Sequence, residues 1–437
     1  MPFPPCQLVT LPSGLHLVTV EMPHMESASV GYWAPMGSRH EPSRINGIAH
    51  FIEHLVFKGT QRRTSEQISR EIERLGATID AFTSEDHTCF HAKGPAERTG
   101  VMLDVIADMV GDPLFADPDI SNEREVIRDE ISMVRDQPSQ WLDDLLSAAA
   151  WGDHPLGRPI TGTESSLDAI RREDLIAFHQ QAYAPELGVV AVAGNVRHEV
   201  VYDLVAQAWA GLPPRTARSN GEGLLPVMPP LPAPAAGRKP SFGFSEDDCG
   251  QAHVGIGFRM PGRLDPGRHA VKVLNVLLGE NMSSRLFQAL REQEGLCYQI
   301  QSDLMAFEEA GMLQVFFATD PKHLPRVLKR LGEVLTGLRE EGPTEVEVVE
   351  ALGSLVGQTR IALETTGAQM SWAAETLLGY GECIPPARAL TELATVSLAE
   401  TREAAARILV PEGMSLAAVG PPRARKPLED WLADFSA

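Results

Sequence analysis

A chain of 437 residues is too long for one ordinary hydrophobic core and suits two domains, and an apolar content of 43% is enough to fill both. The formal charge of -21 excludes a nucleic-acid binder, which needs a basic face to neutralise phosphates, and leaves basic partners or simple solvation of helix faces. No window approaches the roughly 18 uninterrupted apolar residues of a membrane span.

The opening Met1-Pro-Phe-Pro-Pro-Cys6 has neither the basic region nor the apolar run of a secretory signal, so a cytoplasmic location is expected. Cys6, Cys89, Cys249, Cys297 and Cys383 are scattered, odd in number and without a CxxC pair. Neither a disulfide framework nor a thiolate metal site is expected, in keeping with a reducing compartment.

The first informative element is Ile48-Ala-His-Phe-Ile-Glu-His-Leu-Val-Phe57. Apolar residues at 48, 51, 52, 55 and 56 give the period of an amphipathic helix, and His50, Glu53 and His54 fall together on its other face. Positions i and i+4 stack one turn apart, so both imidazoles can reach one ion with a carboxylate beside them. Next, Gly76 to Ser84 leads into a strand-like Thr88-Cys-Phe-His-Ala92, followed by a helical stretch from Thr99 to Met109. His87 and His91 read as strand residues with hydrogen-bond partners rather than as a second metal site.

The stretch Ser121 to Val134 reads as a helix with Val126, Ile127, Met133 and Val134 inward and Arg124, Arg128, Asp129 and Arg135 outward. Glu123 and Glu130 lie within the apolar stripe, where a carboxylate is costly unless a cation or hydrogen bonds compensate it. Zinc suits imidazole nitrogen with carboxylate oxygen, and a catalytic zinc takes three protein ligands and keeps one position open. Glu130 is therefore assigned as third ligand with His50 and His54, one Zn2+ per chain. Glu53 is assigned as general base and Glu123 as a carboxylate that orients a ligand or the base.

Residues 213–240 are rich in proline and almost without hydrophobic periodicity, which marks a linker. It separates a catalytic zinc-binding domain, 1–212, from a homologous non-catalytic domain, 241–437. The order seen in the first half recurs at an offset of about 219 residues: Gly295 to Gln301, then Met312 to Ala318, then a helix from Leu324 to Leu331. The expected fold is α+β, with two homologous domains that each pack a mostly antiparallel sheet with helices on one face.

These residues resemble the inverted-motif zinc metallopeptidases of the pitrilysin and insulin-degrading-enzyme type, family M16, and within them the short processing-peptidase branch. The motif reads His50-Phe-Ile-Glu53-His54 followed by Leu-Val-Phe-Lys-Gly-Thr60, and the run Glu123-Arg-Glu-Val-Ile-Arg-Asp-Glu130 is similar to its downstream counterpart. The resemblance implies that Arg291 and Tyr298 are catalytic partners supplied by the second domain, able to hold a peptide carbonyl and a developing oxyanion. It implies that Asp80, Ala81, Phe82 and Thr83 form an edge strand to which an extended peptide substrate adds, although Asp80 stands where relatives more often carry asparagine. No ligands remain at the corresponding place in the second half, Ala270 to Gly279.

The function expected is a zinc-dependent endopeptidase that hydrolyses extended or unfolded peptides by metal-activated water, working as a homodimer or as a heterodimer with a homologous subunit. The alternatives are a subunit of a heterodimeric processing peptidase, a precursor-peptide maturation factor, and a non-catalytic scaffold of the same family.

Overall fold

The computed structural model describes residues 3–210 and 240–435, so the linker expected at 213–240 lies, Pro240 apart, outside the described residues. The strands are β1 (Cys6–Thr10), β2 (His16–Glu21), β3 (Ser27–Ala34), β4 (Thr78–Thr83), β5 (Thr88–Pro95), β6 (Val189–Gly194), β7 (Ser241–Glu246), β8 (Ala252–Pro261), β9 (Gln299–Ala306), β10 (Ala310–Thr319) and β11 (Met414–Gly420). The helices are α1 (Ile48–Val56), α2 (Ser65–Glu73), α3 (Thr99–Gly111), α4 (Asp117–Arg135), α5 (Pro138–Trp151), α6 (Glu164–Ala169), α7 (Arg172–Ala182), α8 (His198–Trp209), α9 (Arg268–Asn275), α10 (Leu324–Glu340), α11 (Glu345–Ala362), α12 (Thr366–Tyr380), α13 (Pro386–Ala394), α14 (Leu398–Ile408) and α15 (Arg425–Phe435).

Two sheets organise these elements. The first has the order β1-β2-β6-β3-β5-β4 and the second β7-β11-β8-β10-β9. Without β1 the first order matches the second strand for strand. Moreover, β2 with β6 and β7 with β11 are the parallel pairs, and every other pair is antiparallel. The internal repeat is therefore a repeat of topology, in which β4 and β9 are the same outermost strand and α5 and α12 the same helix.

Unit 1 comprises residues 1–131, 159–229 and 360–389, and unit 2 residues 132–158, 230–359 and 390–437. Each unit thus takes most of its residues from one half of the sequence and one helix from the other: α12 belongs to unit 1 and α5 to unit 2.

Two-residue alternation along the strands makes both faces of the first sheet apolar. Val30, Tyr32, Phe90, Val190 and Val192 point into the main core with α1, α3 and α8. Trp33, Cys89, Val189 and Ala191 point the other way, where Met370, Ala373, Ala374 and Leu377 of α12 cover them. In unit 2 the same division recurs. Ile256, Leu313, Val315 and Leu416 enter the core with α10, while Leu142 and Leu146 of α5 pack on Met312, Ala417 and Val419.

One expectation needs correction. Cys6 and Cys383 are joined in a disulfide across 6.9 Å between their Cα atoms. Cysteine spacing could not announce it. The two residues are 377 apart, and they meet because the segment carrying α12 returns to unit 1. Among the described residues no helix is long and apolar enough to cross a membrane.

Candidate metal centre

The centre is built from the start of α1 onward. Gly47 precedes the helix at φ +95, and a Cβ there would lie 2.6 Å from the Thr161 carbonyl oxygen, so a larger residue meets both backbone strain and a clash. Glu41 is buried at this helix end. Its Oε2 accepts from the Gly47 N–H at 2.6 Å and from Asn46 Nδ2 at 2.8 Å, and its Oε1 accepts from the Ala49 N–H at 2.8 Å. A carboxylate on the free N–H groups at the positive end of the dipole fixes where the helix begins. Ile48, Phe51, Ile52 and Leu55 then anchor α1 in the core, which leaves His50, Glu53 and His54 on the facing side.

Helix α4 delivers the carboxylates. Glu123 and Glu130 are seven positions apart, about two turns, so both project from one face. The neighbours differ from the expected stripe: Val126 and Met133 are 48% and 52% exposed, and the buried positions are Ile120, Glu123, Ile127 and Ile131. The turn-by-turn spacing of those three isoleucines sets the helix phase. It keeps both acids inward while rotating Val126 and Met133 to solvent.

The side chains converge. His50 Nε2 is 3.7 Å and His54 Nε2 3.8 Å from Glu130 Oε2, and the two imidazole centroids are 4.7 Å apart. Among the described residues this is the one group of three His, Cys, Asp or Glu whose ligand atoms all lie within 4.8 Å of one another. Burial first, and then the neighbouring His54, lowers the pKa of His50 to about 3. The ring is therefore neutral at ordinary pH, the form that a metal requires. Donor atoms spaced in this way suit bonds of about 2.0–2.2 Å to a tetrahedral ion, and two imidazoles with one carboxylate are a zinc donor set with one position left.

Behind the ligands, Glu123 Oε2 lies 3.2 Å from His54 Nδ1, and Lys58 Nζ lies 2.7 Å from Glu123 Oε1. The His54 nitrogen that faces away from Glu130 is thus held by a carboxylate that is itself held by a cation. Sequence reading missed Lys58. Its signal was the position four residues after His54, the spacing that stacks side chains one turn apart. Lys58→Met is expected to weaken zinc affinity about tenfold, the lower end of what outer partners contribute, with little change in fold. Competition with a chromogenic chelator measures this, and unchanged affinity would remove Lys58 from the relay.

Glu53 is not in the ligand set. Its Oε2 accepts from Thr83 Oγ1 at 2.6 Å, which ties it to β4, the outermost strand of the first sheet. Burial is the largest influence and raises its pKa. The Thr83 hydrogen bond and His54 act against that rise, while Glu130 and Asp80 add to it. Asp80, Ala81, Phe82 and Thr83 all lie on β4, and the Asp80 Oδ1 accepts from the Ala81 N–H at 2.8 Å.

Unit 1 therefore brings together His50, Glu53, His54, Glu123, Glu130 and Asp80 to Thr83. Arg291 and Tyr298 lie in unit 2. The Arg291 guanidinium sits 4.8 Å from the Tyr298 ring centroid and 4.7 Å from that of Phe287, and Tyr298 is 80% exposed. Position 287–292 is a π-helical turn rather than a plain helix end. The expectation for His87 also needs correction: it precedes β5, and its Nε2 is buried without a hydrogen-bond partner among the described residues. Burial lowers its pKa to about 4, so it stays neutral at ordinary pH.

Comparison with known proteins agrees with this geometry. Residues 16–164 match the family described as Insulinase (Peptidase family M16), and residues 169–355 match the one described as Peptidase M16 inactive domain. An uncharacterized zinc protease of Mycobacterium leprae is 38% identical across 97% of this chain and 93% of its own length. The uncharacterized zinc protease YmxG of Bacillus subtilis is 33% identical across 94% of this chain and 97% of its own. A crystal structure of a protease from Helicobacter pylori shares the fold at a TM-score of 0.89 and 21% identity, over 96% of this chain and 100% of that one. The chain belongs to peptidase family M16. Within that family its similarity is to proteins that carry the name zinc protease, and its first half holds the donor set that such a name requires.

Proposed function

We propose that the chain is a zinc-dependent endopeptidase for extended or unfolded peptides, with one zinc per chain held by His50, His54 and Glu130. The observation that carries this reading is the convergence of three donor atoms beside a second carboxylate, that of Glu53, which is outside the donor set and bonded to the edge strand.

Zinc, when bound, would supply Lewis acidity to a peptide carbonyl and make a nearby water more acidic. The chain's own residues do the rest. Glu53, with its pKa raised by burial, takes the proton of the attacking water and passes it to the leaving amine. The free edge of β4 accepts the substrate backbone as an added strand, which selects extended peptide because a folded domain has no spare strand to offer. Arg291 and Tyr298 are proposed to hold the carbonyl and the developing oxyanion, and Glu123 to orient His54. A dimer, with itself or with a homologous subunit, is proposed as the working assembly. The intact donor set speaks against a scaffold role.

The test is peptide cleavage followed by mass spectrometry, with zinc content measured on the same sample. Cleavage of an unstructured peptide library is expected to disappear after treatment with a chelator and to return with added zinc. A zinc-loaded chain that cuts no extended peptide, or a zinc-free chain that cuts equally well, would overturn the reading.

A further inference from the structure

Glu53 stands on α1 and its hydrogen-bond donor Thr83 at the end of β4, so the 2.6 Å bond between them depends on how a helix and a hairpin lie relative to each other. One short segment, 37–41, touches both. At its far end the Glu41 carboxylate accepts from the Gly47 and Ala49 N–H groups and so fixes where α1 begins. At its near end the Ser38 N–H donates to the Ser84 carbonyl at 3.1 Å and the Arg39 N–H to the Glu85 carbonyl at 3.2 Å. The approach is close: a Cβ on Gly37 would collide with the backbone of Ser84 and Glu85.

An ion pair completes this junction. Arg39 is 5% exposed, and its Nη1 lies 2.8 Å from Asp86 Oδ1, in the turn that joins β4 to β5. Its charge also reaches Glu85 in the same turn: burial raises the Glu85 pKa, and a backbone hydrogen bond and then Arg39 oppose the rise. Desolvation offsets most of the attraction in a buried pair, so net stability is a poor account of this one.

The turn closes without the pair. The Ser84 N–H donates to the His87 carbonyl at 2.9 Å, and Ser84 Oγ donates to the same carbonyl at 2.9 Å while accepting from the His87 N–H at 3.1 Å. Those bonds shape the hairpin but do not say where its end lies against α1. The strand β4 is outermost, held in the ladder by β5 on one side alone. A small swing of its end would draw the Thr83 hydroxyl off the carboxylate, and Arg39 and Asp86 span the place where that swing is checked.

We propose that Arg39 and Asp86 are positioning residues for the general base: their ion pair holds the turn after β4 against segment 37–41 and so keeps the Thr83 hydroxyl on the Glu53 carboxylate. The proposal deepens the peptidase reading and rests on it.

The test uses the full chain, zinc-loaded. Arg39→Met with Asp86→Leu exchanges the pair for apolar side chains, a change that buried pairs commonly tolerate. It is expected to lower kcat for peptide cleavage about tenfold, the scale of one hydrogen bond to a charged group, with KM, zinc affinity and melting temperature unchanged. Thr83→Val should lower kcat by a similar factor, and adding it to the paired variant should lower kcat no further, because both act through one bond. Amide hydrogen exchange over residues 84–87 should quicken in the paired variant and stay as in the wild type in Thr83→Val. If the paired variant does not fold, Asp86→Asn takes its place, with an expected loss in kcat of about threefold that again vanishes in the Thr83→Val background. A wild-type kcat, a loss that falls on KM, losses that multiply with Thr83→Val, or unchanged exchange overturns the positioning role and leaves the peptidase standing. If the wild-type chain itself cleaves no peptide, the peptidase reading fails and the positioning role falls with it.

Discussion

Glu53→Gln is expected to keep zinc at the wild-type stoichiometry and to lower kcat/KM for peptide cleavage by about 10²–10⁴-fold. The substitution is nearly isosteric, and the glutamine oxygen can still accept the hydrogen bond that Thr83 gives the carboxylate at 2.6 Å. What disappears is the capacity to take a proton. In the wild type, burial makes this carboxylate a better base than an exposed glutamate. The loss should fall on kcat, because the edge of β4 and the three metal-binding side chains are untouched. Steady-state kinetics with metal analysis on the same preparation checks it. A variant that retains zinc and cleaves at the wild-type rate would show that another group handles the proton.

Glu130→Gln should fail earlier, at the metal itself. The Glu130 carboxylate oxygen lies within 3.7–3.8 Å of both histidine Nε2 atoms and is the one anionic donor of the set. Replacing it with a neutral amide removes the charge that offsets a dication, so affinity should fall by more than the roughly 10–100-fold that outer partners such as Glu123 supply. The variant is expected to purify without zinc and to show no cleavage at micromolar metal, with partial recovery in excess zinc. Isothermal titration with zinc on the metal-free chain separates this result from unfolding. Retention of one tightly bound zinc would remove Glu130 from the ligand set.

Much of this centre was legible before any coordinates. The apolar spacing of residues 48 to 56 fixed the phase of α1, and a helix in that phase can present His50, Glu53 and His54 in only one way. Glu130 was readable for the complementary reason, as an acid on the inward side of an amphipathic helix. The stripe around it was misjudged, because hydrophobicity alone does not decide whether Val126 or Ile127 leads inward when both are apolar. The supporting contacts were less visible. Glu41 capping α1, Lys58 gripping Glu123 and Thr83 holding Glu53 are polar residues without periodicity, and their roles arise from tertiary proximity. The Cys6–Cys383 bond was illegible for the same reason.

The reciprocal placement of α5 and α12 bears on how a nascent chain matures. Translation finishes the last strand of the first sheet at Gly194, but the helix that shields its Trp33 and Val189 side ends at Tyr380, 186 residues later. At about 5–20 residues per second, that flank stays wet for roughly 10–40 s on the ribosome. The second sheet has the opposite schedule, since α5 is already made when β7 emerges. Such a polypeptide cannot complete its amino-terminal body until most of its carboxy-terminal half has been made. The interval before Tyr380 appears is when it most needs a chaperone.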